Sequence, residues 1–312
     1  MATTSSIEWT DVTWNPVRGC ARVSAGCENC YAERVAYRFG QKPGSPYEGL
    51  TTLGKHGPRW AGRARFVPNM LDEPLRWRRP RRVFVNSMSD LFHDDVTDEQ
   101  IAQVFTVMAI SGRHTFQILT KRPARMLRWF EWASEHYVLA TLEPRKLWPP
   151  PNVWLGVSCE DQDAARKRIP LLRRCPAAVH FVSLEPLLGP IDLDDRWLEW
   201  LPTGPDENDE PHLRPPLRWV IVGGESGPGA RPCNIDWVRT IVKQCGEAGV
   251  ACFVKQLGAT AVQAPRDATG RVVTSPGGDP WPPTPLSTRA RKGGDPSEWP
   301  ADLRVRQFPE VQ

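Results

Sequence analysis

Residues 82–122 read RVFVNSMSDLFHDDVTDEQIAQVFTVMAISGRHTFQILTKR, and the order of elements in this stretch decides the fold class. Arg82–Ser87 is a short apolar run that predicts a buried strand. Thr97–Ile110 has a helical pattern, with Thr97 as N-cap and Gln100 three positions on, as in a capping box. His114–Leu119 predicts a second strand. Strand, helix and strand in that order make a right-handed βαβ unit with parallel strands.

The alternation continues outward from this unit. Pro123–Tyr137 predicts a helix with proline in its first turn, Asn152–Val157 a strand and Asp161–Arg174 a helix. Ala178–Ser183 and Trp219–Val222 predict strands, Asp236–Glu247 a helix and Val250–Val254 a closing strand. Six such strands predict an α/β fold, a partial (β/α)6 TIM-like barrel over residues 1–259; a flat doubly wound sheet is the alternative. Residues 260–312 are rich in proline and glycine and predict an extended tail packed on the barrel, anchored by Trp281 and Trp299. The proline-bounded segment 202–216 carries Asp206, Glu207, Asp209 and Glu210 and predicts an exposed acidic insertion.

The chain has 312 residues, 24% charged and 40% hydrophobic, which describes a globular protein rather than a disordered one. No apolar run approaches the ~18 residues of a membrane span. The opening MATTSSIEWTDVTW lacks the basic and apolar regions of a secretory signal. We therefore expect a cytoplasmic protein, away from the membrane, whose eight cysteines stay reduced.

The predicted strands end in SMSDLFHD, TKRP, SCEDQD, LEP, GGESGPG and KQLG. Asp161 and Asp236 read as helix caps, but polar groups at six successive carboxyl ends point to one enclosed site. Cys159 is a candidate hydrogen-atom donor at this rim, with a buried small hydrophobe as the plain alternative. Glu160, Glu185, Glu225 and Lys255 are candidates for acid–base work or substrate orientation. The Gly223–Gly229 loop, with Gly224 inside it, lets backbone approach a ligand closely or makes a tight turn.

Upstream, TWNPVRGCARVSAGCENCYAE places Cys20, Cys27 and Cys30 at a spacing of C-x6-C-x2-C. Ordinary buried thiols are one reading. A structural zinc site is a second, and its fourth ligand would come from a distant residue. The third is a [4Fe–4S] cluster on three thiolates, which leaves one iron open to a ligand.

NPVRGC…GCENCYAE resembles the cysteine loop of the radical S-adenosylmethionine (SAM) superfamily, in its spore photoproduct lyase-like and DNA-repair-photolyase-like branch. The spacing differs from the usual C-x3-C-x2-C by three residues between the first two cysteines. SMSDLF, FQILTKRP, GGESGPGARP and EWPADLRVRQFP resemble a phage-associated family with a three-cysteine motif. The resemblance implies an enzyme in which the three cysteines hold a [4Fe–4S] cluster and SAM chelates its open iron. An external one-electron donor then drives cleavage to a 5′-deoxyadenosyl radical, which abstracts hydrogen from a substrate. It further implies Tyr31 near the adenine and Ser87, Ser89 and Asp90 near the methionyl amino group. Lys121 and Ser158 are implied near the carboxylate or ribose. The competing expectation is a non-enzymatic nucleic-acid or partner-binding module with a structural zinc or iron–sulfur site.

Net charge is +4, yet Arg59–Arg82 alone balances to +6, so the rest sums to −2. The stretch interleaves arginine with Trp60 and Trp77, a pattern suited to phosphate contact and base stacking. It points to a nucleic-acid base or nucleotide as substrate, repair or modification being the implied task; tryptophans packed inward are the plain alternative.

Overall fold

Each strand of the main sheet pairs with the next one in the chain, and every pair is parallel. In the computed structural model, which describes residues 5–136, 150–205, 211–267, 271–273 and 282–310, seven strands follow one another in order. They are β1 (Val12–Trp14), β2 (Arg82–Val85), β3 (Thr115–Thr120), β4 (Val153–Ser158), β5 (Val179–Leu184), β6 (Leu217–Gly223) and β7 (Ala251–Gln256). The sheet curls into a half-barrel flanked by helices, a partial TIM-like α/β fold. The sequence reading identifies β2–β7 and misses β1, whose three residues are too few to show a period.

The helices are α1 (Tyr31–Gly40), α2 (Asp98–Ile110), α3 (Pro123–Glu135), α4 (Gln162–Leu172) and α5 (Ile235–Glu247). The expected capping box closes α2: Gln100 N donates to Thr97 Oγ1 at 3.3 Å, and Thr97 N donates to Gln100 Oε1 at 3.1 Å. Asp161 caps α4 by accepting from Ala164 N. The cap of α5 is Asn234 rather than Asp236, which accepts from Ala264 N and pairs with Arg239.

Strands buried on both faces send alternate side chains to two cores. Val83 and Val85 face the helices, whereas Phe84 turns inward to a cluster with Trp9, Trp154, Phe181, Trp219 and Phe253. These rings fill the concave side. The tail completes it: Phe308 packs 5.4 Å from Trp219, centroid to centroid. The tail also covers the edge of β7, with Val254 N donating to Val305 O and Gln307 N to Cys252 O, both at 2.8 Å. Covering an edge strand removes its unpaired backbone groups from solvent. Trp299 is buried and donates its Nε1 to Gly293 O at 2.9 Å. Trp281 and the acidic residues 206–210 lie outside the described residues; the flanks Leu201–Pro205 and Pro211–Arg214 pair antiparallel. Among the described residues no helix is long and apolar enough to cross a membrane.

Gly156 on β4 is where the inner core is tightest, because a Cβ there would meet the Phe181 ring at 2.5 Å. Gly156→Ala is expected to cost about 1–3 kcal/mol by overpacking, read as a lower urea midpoint with an unchanged far-UV spectrum.

Candidate active site at the mouth of the half-barrel

The carboxyl ends of β2–β7 surround a cavity of about 260 Å³, as the strand endings led us to expect. The segment between β1 and α1 crosses this mouth and brings Cys20, Cys27 and Cys30 to its wall. Gly19 starts the crossing with φ +87°, and a Cβ there would meet Arg63 O at 2.3 Å. Only glycine fits that turn.

Four ties hold the crossing segment. On the β3 side, Arg122 donates Nη1 to Asp90 at 3.0 Å and Nη2 to Ala21 O at 3.1 Å, and lies 3.8 Å from Cys20 Sγ. On the β4 side, Glu160 pairs with Arg168 and packs against Gly26, where a Cβ would sit 3.1 Å from its carboxyl. On the β6 side, Asn29 donates to Glu225 Oε2 at 2.9 Å, and Arg231 bridges Glu225 and Glu28. Beneath the segment, Arg22 Nε donates to the buried Glu33 at 2.8 Å.

Most of the expected site residues meet here. Tyr31, Ser87, Ser89, Asp90, Lys121, Ser158, Glu185, Glu225 and Lys255 all line the cavity with the three cysteines. Tyr31 stands at the wall with 52% of its surface free and donates its hydroxyl to Ser87 O. Lys121 Nζ donates to Ser158 Oγ at 2.8 Å, and Lys255 Nζ to Glu185 Oε1 at 2.7 Å.

Several expectations need correction. Asp90 already accepts from Phe92 N, Thr120 Oγ1, Lys121 N and Arg122, so its roughly four lone-pair sites are spent on the protein. Glu225 likewise accepts four hydrogen bonds, one from Asn29 and two from Arg231 on Oε2 and one from Arg231 on Oε1. Both carboxylates grip the loop, and both also line the cavity. Among the cavity carboxylates it is Glu185 that keeps an oxygen open, since Lys255 and Gln256 both bond Oε1. Cys159 does not reach the cavity: it is fully buried in the helix-side core, and burial pushes its thiol up to about 12. Gly223 and Gly224 also stand off the cavity wall. A Cβ on Gly224 would strike Leu257 O at 2.2 Å, so this glycine serves strand packing. Trp77 is buried against His114 and cannot stack on a base.

The sequence reading passes over Asn29, Glu33, Arg122 and Arg231. Arg122 follows Lys121 directly and Asn29 lies inside the C-x2-C, so each had a local signal; Arg22 and Glu33, eleven residues apart, had none.

Burial pushes the Cys20 thiol up to about 12, and the nearby Asp90 charge adds to this against the opposing pull of Arg122. Burial also raises Cys30, with Lys121 pulling the other way. Thiols in such a setting ionise when a bound cation supplies the compensating charge. All eight cysteines are free. Among the described residues no three His, Cys, Asp or Glu side chains gather as ligands of one ion.

A parallel half-barrel with a cysteine-lined cavity at its carboxyl mouth defines an α/β protein whose cavity lies where such folds bind their ligands. The chain belongs to the family described as protein of unknown function (DUF5131), which matches residues 4–283. No curated protein and no solved structure matches it.

The Glu225 tie makes a pH-dependent contribution. Burial alone would raise its carboxyl, but hydrogen bonds from Arg231 and Asn29 outweigh burial and hold it below the ordinary glutamate range. Its stabilisation is therefore present above the unfolded-state value and lost as pH falls through the depressed one. Glu225→Gln is expected to lose about 1–3 kcal/mol at neutral pH, with a flatter acid limb in urea midpoints measured against pH. An unchanged acid limb would remove the tie from the account.

Proposed function

We propose that this protein is an enzyme of the radical SAM type, with a [4Fe–4S] cluster on Cys20, Cys27 and Cys30 acting on a molecule held in the cavity. The observation that carries this reading is that the three thiols share one cavity wall that holds no further cysteine or histidine among the described residues. Three protein ligands leave a coordination position facing the cavity, as reactive metal sites require. A single zinc ion needs its donors gathered in one coordination sphere, whereas each thiolate of a cluster binds a different iron.

When bound together, such a cluster and SAM supply methionine and a 5′-deoxyadenosyl radical at the cost of one electron from an external donor. The chain's own residues bind, orient and exclude water. Lys121 keeps two of its three ammonium donors for SAM's carboxylate, beside Ser158. The open oxygen of Glu185 suits SAM's ammonium better than the filled Asp90. The free ring face of Tyr31 suits the adenine, and Ser87 and Ser89 keep acceptor lone pairs toward the cavity. Lys255 and Gln256 close the β7 side, where a substrate's polar group would dock. In a low-dielectric cavity these pairings count for more than in water. The proposed cluster needs reduced thiols and an electron donor, which suits a cytoplasmic setting.

Protein purified without oxygen is expected to be brown, to absorb near ~400 nm, to carry about four irons per chain and to cleave SAM after reduction. Cys27→Ala is expected to lose colour and cleavage together. A colourless protein holding one zinc would overturn the proposal.

A further inference from the structure

The arginine-rich stretch 59–82 does not form one surface. Arg76 pairs with Asp72, Arg82 pairs with Asp11 at the amino-terminal end of β1, and Arg81 lies over the buried Trp77. These residues lie before β2 or at its first position, so they sit at the end of the barrel opposite the cavity, where Arg76 and Arg82 are paired and, among the described residues, Arg78 and Arg79 form no ion pair.

The other end differs. Residues 31–66 contain seven lysines and arginines against two carboxylates, and one of those, Glu33, is buried with Arg22. Among the described residues, none of the seven forms an ion pair. On α1 the exposed positions are Tyr31, Arg34, Arg38 and Phe39, one helical stripe that starts at the cavity wall and runs outward. Beside α1 lies the antiparallel hairpin Thr51–Gly54 and Gly57–Trp60, which exposes Lys55 and Arg59 and turns Trp60 to the cavity. Phe39 is 47% and Leu53 68% exposed on the same unit.

Unanswered cations beside open rings are the make-up of a surface that tracks a phosphodiester backbone and stacks its bases. A cavity of about 260 Å³ with Trp60 of the hairpin at its wall can admit one unstacked base but no duplex. We infer that the face formed by α1 and the hairpin binds single-stranded nucleic acid and delivers one base to the cavity. This names the substrate class of the site proposed above, and only the delivery step rests on that reading. Binding itself needs no cluster.

The test is fluorescence anisotropy with a fluorescein-labelled mixed-sequence oligonucleotide, as DNA and as RNA, across a salt series. The triple change Arg34→Glu, Arg38→Glu, Arg59→Glu is expected to weaken binding at least ~10-fold. It should also flatten the salt dependence by about 0.7 per lost phosphate contact. Arg78→Glu with Arg79→Glu, at the opposite end, should bind as the unmodified chain does. The glutamine triple gives the same comparison if charge reversal unfolds the chain, as far-UV spectra would reveal. Cys27→Ala should retain binding, which separates this inference from the cluster. Equal losses in both variants, no loss in either, or binding to phosphatidylserine vesicles with none to oligonucleotide would overturn it.

Discussion

Two buried carboxylates that each accept four hydrogen bonds, Asp90 and Glu225, hold the cysteine segment across the barrel mouth. A buried carboxylate is tolerable only when its oxygens are satisfied, and here each is satisfied partly by groups that grip the segment. Arg122 takes one end through Asp90, and Asn29 and Arg231 take the other through Glu225. With Gly19 setting the turn, the three thiols have little freedom to leave the cavity wall. A site built in this way is positioned by strand ends, which are rigid, although its ligands come from a loop.

The parallel order of the sheet was legible because each βα unit carries its own signals: an apolar run, a polar exit and, at Thr97, a cap. The mouth was legible as a place, since six polar endings in succession have no other common location. Roles at the mouth were not. Whether Asp90 meets a ligand or a neighbour depends on Arg122 and Thr120, thirty residues away or more. Cys159 follows the last residue of β4 yet lies in the helix-side core, and sequence alone does not distinguish that placement from the rim. Gly224 looked like a ligand loop and is a packing contact with Leu257. The edge strand β1 was too short to be seen.

Charge follows the same lesson. A run that sums to +6 is divided by the barrel into two ends, one where Asp72 and Asp11 answer part of the charge and one left open beside the cavity. The open end is continuous with the ring of Tyr31, so the electrostatic and stacking features meet at the thiols.

The central claim is that the strapped segment offers three thiolates and leaves a fourth position turned to the cavity. Electron paramagnetic resonance of the reduced, reconstituted protein tests it most directly. The account predicts a [4Fe–4S] signal whose g-values shift when SAM is added, with the shift reduced in Lys121→Ala. A cluster signal indifferent to SAM, or no cluster signal from fully reconstituted protein, would contradict it.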